Sequence, residues 1–192
     1  MHQQEPERIA ELDALLAWVT LTKDTENPIF HFDCDRFSKF SFSKRETHIA
    51  QALATSDLEE AAENPMNWYA WEAIEAALEE IRTRGRFTYA HGWNRNTGEL
   101  DEAYGIALPV HEPAVLLCDC IYLLHQPVRA WLDAVVLVDT PLSVTLKRGQ
   151  VRSNGPARAA YMERLTRTYT VPYFTTHRAA ADLIFSGQAA TA

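Results

Sequence analysis

Asp33-Cys34-Asp35 places two carboxylates two residues apart, directly after the short apolar run of residues 29–32. Beyond the end of a strand, such a pair can hold Mg²⁺ or take a proton from a substrate hydroxyl; the plain alternative is a pair of loop acids capping the next helix. Asp119 closes a second apolar run, residues 114–118, where it can orient a metal-bound water, and Asp139 closes a third, residues 134–138. Lys147, Arg148, Arg152, Arg158, Arg164 and Arg167 fall within 21 residues of an otherwise acidic chain. Arginine forks match phosphate oxygens bidentately, and Ser153-Asn154-Gly155-Pro156 among them reads as a hinge or lid. A solvated helix face with i,i+4 pairs is the alternative. Trp68, Tyr69, Trp71, His91 and Trp93 can form an aromatic slot for a planar ligand, although Trp71 shares a helical register with Ile74 and Leu78 and fits a core position too.

The elements that must position these groups follow from periodicity and punctuation. Ile9, Leu12, Leu16 and Val19 predict an amphipathic helix over residues 7–20. Residues 29–32 read as a buried strand, and residues 41–63 as polar loop with a short helix. Asn64-Pro65 opens a helix over residues 67–84, stopped by Gly85. Asn96-Thr97-Gly98 is a turn between residues 87–93 and 99–106, which predicts an antiparallel excursion. Residues 114–118 and 134–138 are further strands, residues 142–148 and 158–170 helices, and residues 182–185 a last strand. Apolar strands alternating with helices predict an α/β domain built as a three-layer parallel sheet, in which working residues sit beyond the carboxyl ends of strands.

Bulk properties bound the function. The chain has 192 residues, 47% of them hydrophobic, which suits one domain over residues 1–192, with a lid near residues 149–160. A formal charge of −8 argues against a nucleic-acid partner. The apolar runs are strand-length, so no membrane span is expected, and residues 1–8 lack the apolar core of a signal peptide. Cys34, Cys118 and Cys120 have no metal-ligand spacing and read as reduced core thiols of a cytoplasmic protein. Homo-oligomerisation is left open.

In order along the chain, residues 29–185 resemble the uridine kinase and phosphoribulokinase-like branch of the P-loop kinases. The segment Ile29-Phe30-His31-Phe32-Asp33-Cys34-Asp35-Arg36-Phe37 is similar to that family's strand ending in an acid. Asn64-Pro65 resembles its His-Pro segment before a long helix. His91-Gly92-Trp93-Asn94 resembles its substrate loop, with Trp93 where Tyr is usual, and Asp119-Cys120-Ile121 its Glu-Gly-Ile strand end. Residues 136–141, followed by Lys147, Arg148 and Arg152, resemble its strand, helix and arginine-bearing lid. The resemblance implies phosphoryl transfer from ATP, with Mg²⁺, to a hydroxyl of a small, nucleoside-like substrate. Asp35 would be the base, Asp35 and Asp119 would face the metal, and Lys147, Arg148 and Arg152 would stabilise the transferring phosphoryl group. Asp33, Tyr69, His91, Trp93 and Arg158 would contact substrate.

One part of that pattern is absent from this sequence. No glycine precedes Gly85, and no Gly-x-x-x-x-Gly-Lys-[Ser/Thr] loop occurs anywhere. Glycines let backbone N–H groups close on phosphates without Cβ obstruction. The expected fold is therefore P-loop-kinase-like with its first strand and phosphate loop missing. Three readings follow: a chain that begins late, a phosphate-loop-less relative that binds a phosphorylated ligand or runs another reaction, or a non-catalytic binding or regulatory module.

Overall fold

The computed structural model describes residues 29–41, 64–109, 114–153 and 155–186. The expected helix over residues 7–20 and nearly all of the polar stretch 41–63 lie outside the described residues.

Strand β1 (Ile29–Asp33) lies parallel to β4 (Val115–Asp119), in register from Ile29 opposite Val115 to Asp33 opposite Asp119. Strand β5 (Val136–Asp139) lies parallel to β6 (Leu183–Ser186). Between these pairs in sequence, β2 (Arg86–Gly92) and β3 (Glu102–Ala107) form the expected antiparallel hairpin. Among the described residues the strands form three two-stranded sheets rather than one continuous sheet. The architecture is thus mixed α/β with two parallel strand pairs. Strands β4 and β5 each have a single strand partner among the described residues, and Leu117, Val136 and Val138 on them stay exposed.

The main core explains why β1 sits where it does. Alternation turns Phe32 inward between His31 and Asp33, and its ring packs on Phe37 at 5.3 Å and Phe87 at 5.5 Å. Helix α1 (Trp71–Arg84) closes this core with Ile74, Ala77, Leu78 and Ile81, a 3-and-4 spacing that lines one helical face. Gly85 ends the helix in the left-handed conformation (φ 69°), the stop expected of it.

The start of α1 differs from the expectation by four residues, for a long-range reason. Asn64 accepts from the Met66 N–H and opens only a short 3₁₀ turn, Pro65–Trp68. The Lys39 N–H then donates to the Trp68 carbonyl at 2.8 Å, and the Ala70 N–H to the Phe37 carbonyl at 2.7 Å. These bonds to the segment after β1 hold Tyr69 extended between the 3₁₀ turn and the helix, so the helix begins at Trp71.

Helix α2 (Leu142–Arg152) is longer than expected, and α3 (Pro156–Leu165) follows after Gly155 at φ 101°. The helical path continues through a π-helical segment, Thr166–Thr170, into α4 (Val171–His177). Pro172 falls in the first turn of α4, directly after the π-helical segment.

Candidate functional site

The carboxyl ends of β1 and β4 gather the acids. Asp33 is 8% exposed, and that burial is matched by its partners. Its Oδ1 accepts from the Asp35 N–H at 3.1 Å, capping the 3₁₀ turn Cys34–Phe37. Its Oδ2 meets Arg95 Nη2 at 2.8 Å and Arg36 Nε at 3.3 Å. The Asp33 N–H donates to the Tyr104 hydroxyl at 2.8 Å, and that hydroxyl lies 3.2 Å from the His31 carbonyl as donor. Asp33 is therefore a fully engaged carboxylate that fixes the turn carrying Asp35.

Arg36 ties the same turn to the hairpin. Its Nη1 donates to Glu102 Oε2 at 2.6 Å and to the Trp93 carbonyl at 2.9 Å, while the Trp93 N–H returns a bond to the Arg36 carbonyl at 2.8 Å. The guanidinium also lies over the Tyr104 ring, 5.8 Å from its centre. Gly92 sits where the hairpin register shifts, and a Cβ there would lie 2.7 Å from the Glu102 carbonyl oxygen. Gly92→Ala is accordingly expected to cost about 1–3 kcal/mol by forcing β3 away at the residue that holds Arg36. A urea unfolding curve checks it: a midpoint equal to wild type would mean that the hairpin yields without strain.

Asp35, by contrast, is exposed, and its Oδ1 accepts from the Tyr69 hydroxyl at 3.1 Å. Burial, reinforced by neighbouring Cys120 and by Asp35 itself, pushes the Tyr69 phenol well above its ordinary range, so it stays a neutral donor. Tyr69 can reach Asp35 because residue 69 is extended, bridged to Ser38 beside β1. A carboxylate at a strand end, oriented by a neutral phenol, is suited to accept a proton from a bound hydroxyl.

Asp119 stands opposite Asp33 across the strand pair, 77% exposed, with His31 Nε2 at 3.6 Å. Mg²⁺ asks for one or two carboxylates completed by phosphate oxygens and waters, and an exposed Asp119 fits that chemistry as a single ligand. Among the described residues no cluster of three metal-capable groups forms a ready-made cage. Nearby, Cys34 is buried and Cys118 and Cys120 partly so, all as free thiols. A hydrogen bond with Cys120, together with burial, pushes the Cys34 thiol up, and burial pushes Cys118 up to about 12, which leaves both uncharged.

The remaining expected residues are spread more widely. His91 is exposed and its ring edge faces Tyr89; Trp93 Nε1 donates to the Gly98 carbonyl at 3.2 Å within its own turn. Trp68 packs on the small core of Tyr161 and Leu165, whereas Trp71 packs between Tyr69 and Trp131 and donates to the Met66 carbonyl. Tyr69 and Trp71 thus pack on each other, while Trp68, His91 and Trp93 meet other partners. Lys147, Arg148 and Arg152 are exposed on α2, and Arg158 is partly buried in α3. They lie on either side of Gly155, the segment read as a lid. Arg36, Arg95, Glu102 and Tyr104 were not singled out from sequence; the arginine next to the acid pair and the arginine inside the Asn-Arg-Asn-Thr-Gly turn were the available signals.

Comparison with known proteins finds a likeness in structure but not in sequence. No protein-family model matches the chain, and no curated protein matches it in sequence. Among solved structures it is similar to phosphoribulokinase from Rhodobacter spheroides, with a TM-score of 0.56 at 9% identity, covering 83% of this chain. The chain spans 62% of that kinase's length. The likeness is one of fold, a mixed α/β arrangement of strands and helices shared with that structure. No helix among the described residues is long and apolar enough to cross a membrane.

Proposed function

We propose that this protein is a kinase-like phosphotransferase acting on a hydroxyl of a small, nucleoside-like molecule. The observation that carries the reading is the Tyr69–Asp35 pair at the carboxyl end of a parallel strand pair, in a fold similar to phosphoribulokinase. Asp35 accepts the proton of the acceptor hydroxyl, Tyr69 orients it, and Asp119 provides a carboxylate for Mg²⁺. Lys147, Arg148 and Arg152 lie on the helix before the lid, where they counter phosphoryl charge, and Arg158, His91, Trp93 and Asp33 border the acceptor. ATP would supply the phosphoryl group.

The expected result is that Mg²⁺-ATP titrated calorimetrically into the purified chain binds saturably, and that Arg148→Ala with Arg152→Ala weakens it by at least tenfold. Absence of any heat of binding would remove the kinase reading for this chain. A second reading has its own support, since the exposed cations on α2 accompany a sequence with no phosphate loop. In it the protein holds a phosphorylated small molecule without turnover, and Asp35→Asn leaves affinity for that molecule unchanged.

A further inference from the structure

A concavity lies across an aromatic partition from Asp35. It is an open cleft of about 710 Å³ between the turn at Asn64–Met66, the loop after β4 and the helical run through α4. The volume falls in the range of small-molecule sites. Tyr122 forms the partition: its ring meets Tyr69 at 6.2 Å on one side and Tyr173 at 4.9 Å, edge to face, on the other.

Its polar groups are arranged rather than scattered. The Tyr173 side chain is buried, and its hydroxyl accepts the Leu124 N–H at 2.8 Å and the His125 N–H at 3.0 Å. With both lone pairs engaged, the hydroxyl proton goes to His125 Nδ1, 3.1 Å away. That bond selects the tautomer in which His125 carries its hydrogen on Nε2, as a donor. Burial, with His177 nearby, lowers the His125 pKa and so favours the neutral ring. Asn64 Oδ1 is engaged by the Met66 N–H, so its amide presents donors.

None of the described lining residues is Asp, Glu, Lys or Arg. A cleft without fixed charge does not favour a phosphate or carboxylate, and with Nδ1 of His125 committed to Tyr173 its two imidazoles do not make a metal site. Of the lining rings, His125, Tyr169 and His177 keep partly exposed surface that suits a planar ring, while Tyr122 and Tyr173 are largely buried, and the donors suit carbonyl or ring-nitrogen acceptors on it.

We infer that this cleft is a binding site for a neutral, planar heteroaromatic ring bearing hydrogen-bond acceptors, separate from the Asp35 site. The test uses nicotinamide and uracil as neutral probes and benzoate as the anionic control, followed by saturation-transfer NMR and calorimetry on the full chain. Both neutral probes should bind, and benzoate should bind at least tenfold more weakly. Thr176→Trp, a change at an exposed position of α4 that fills the cleft, should abolish binding while circular dichroism stays native. His125→Phe should weaken binding by about tenfold, the loss of one hydrogen bond, and Asp35→Asn should leave it unchanged. Failure of both neutral probes to bind, equal binding of benzoate, or undiminished binding by a folded Thr176→Trp protein would each overturn the assignment. None of these outcomes depends on phosphoryl transfer.

Discussion

Asp35→Asn is expected to lower phosphoryl-transfer turnover by about 10²–10⁴-fold, the range for loss of a positioned general base. The same substitution should leave the urea midpoint nearly unchanged, within about 0.5 kcal/mol, because Asp35 is an exposed side chain whose amide replacement retains an acceptor for Tyr69. The separation of the two effects is what identifies a reacting group. Asparagine keeps the shape and the hydrogen bond but cannot take a proton from a hydroxyl. Tyr69→Phe should have a smaller effect, about tenfold, since it removes one orienting hydrogen bond and leaves the carboxylate in place. Steady-state rates distinguish these: turnover of the Asp35 variant should fall by about a hundredfold or more, and that of the Tyr69 variant by about tenfold. Wild-type turnover by the Asp35→Asn protein would eliminate Asp35 as the base.

Read from their own residues, Asp33 and Asp35 form an undivided pair, and only the kinase resemblance assigned Asp35 the role of base; what separates them physically is a matter of contact range. The strand-end positions of both acids are local, written in apolar runs that stop at a carboxylate, and they were readable. So were the Gly85 stop and the Asn96-Thr97-Gly98 turn, where backbone conformation is set by the residue itself. What distinguishes the two acids is remote: Arg95, 62 residues away, closes on Asp33, while Tyr69, 34 residues away, reaches Asp35. Neither pairing leaves a periodic trace. The late start of α1 has the same origin, in bonds from residues 68–70 back to residues 37–39 that override a good local helix signal. Among the described residues, the strands expected in one sheet are seen as two parallel pairs and a hairpin. Each strand was recognisable from its own residues, but which edges meet depends on pairings that hydrophobic runs do not encode. The cleft around Tyr173 left no local signal for a related reason: it is defined by contacts of long sequence range, the Tyr173 hydroxyl meeting the backbone N–H groups of Leu124 and His125.

Asp33→Ala should show the opposite signature to Asp35→Asn, a large loss of stability accompanied by a fall in activity. The substitution removes the cap of the Cys34–Phe37 turn, a loss of about 1 kcal/mol in typical helices. It also removes the carboxylate from Arg36, whose side chain is only 19% exposed. Hydrogen bonds involving a charged group contribute about 1.5–3 kcal/mol when buried. The lower end applies here, because Arg36 keeps Glu102 at 2.6 Å and the Trp93 carbonyl at 2.9 Å. Arg95 adds little, since it is 57% exposed and can return to water. The total expected loss is about 2–4 kcal/mol, read as a lower urea midpoint at unchanged slope. Asp33→Asn retains an acceptor for the Asp35 N–H and should recover roughly half of it. Activity should fall in step with stability, because the turn that aims Asp35 at Tyr69 is the turn that Asp33 caps. If Asp33→Ala unfolds at the wild-type midpoint yet abolishes turnover, then Asp33 meets the substrate directly, and the Arg36–Arg95 cluster is secondary to that contact.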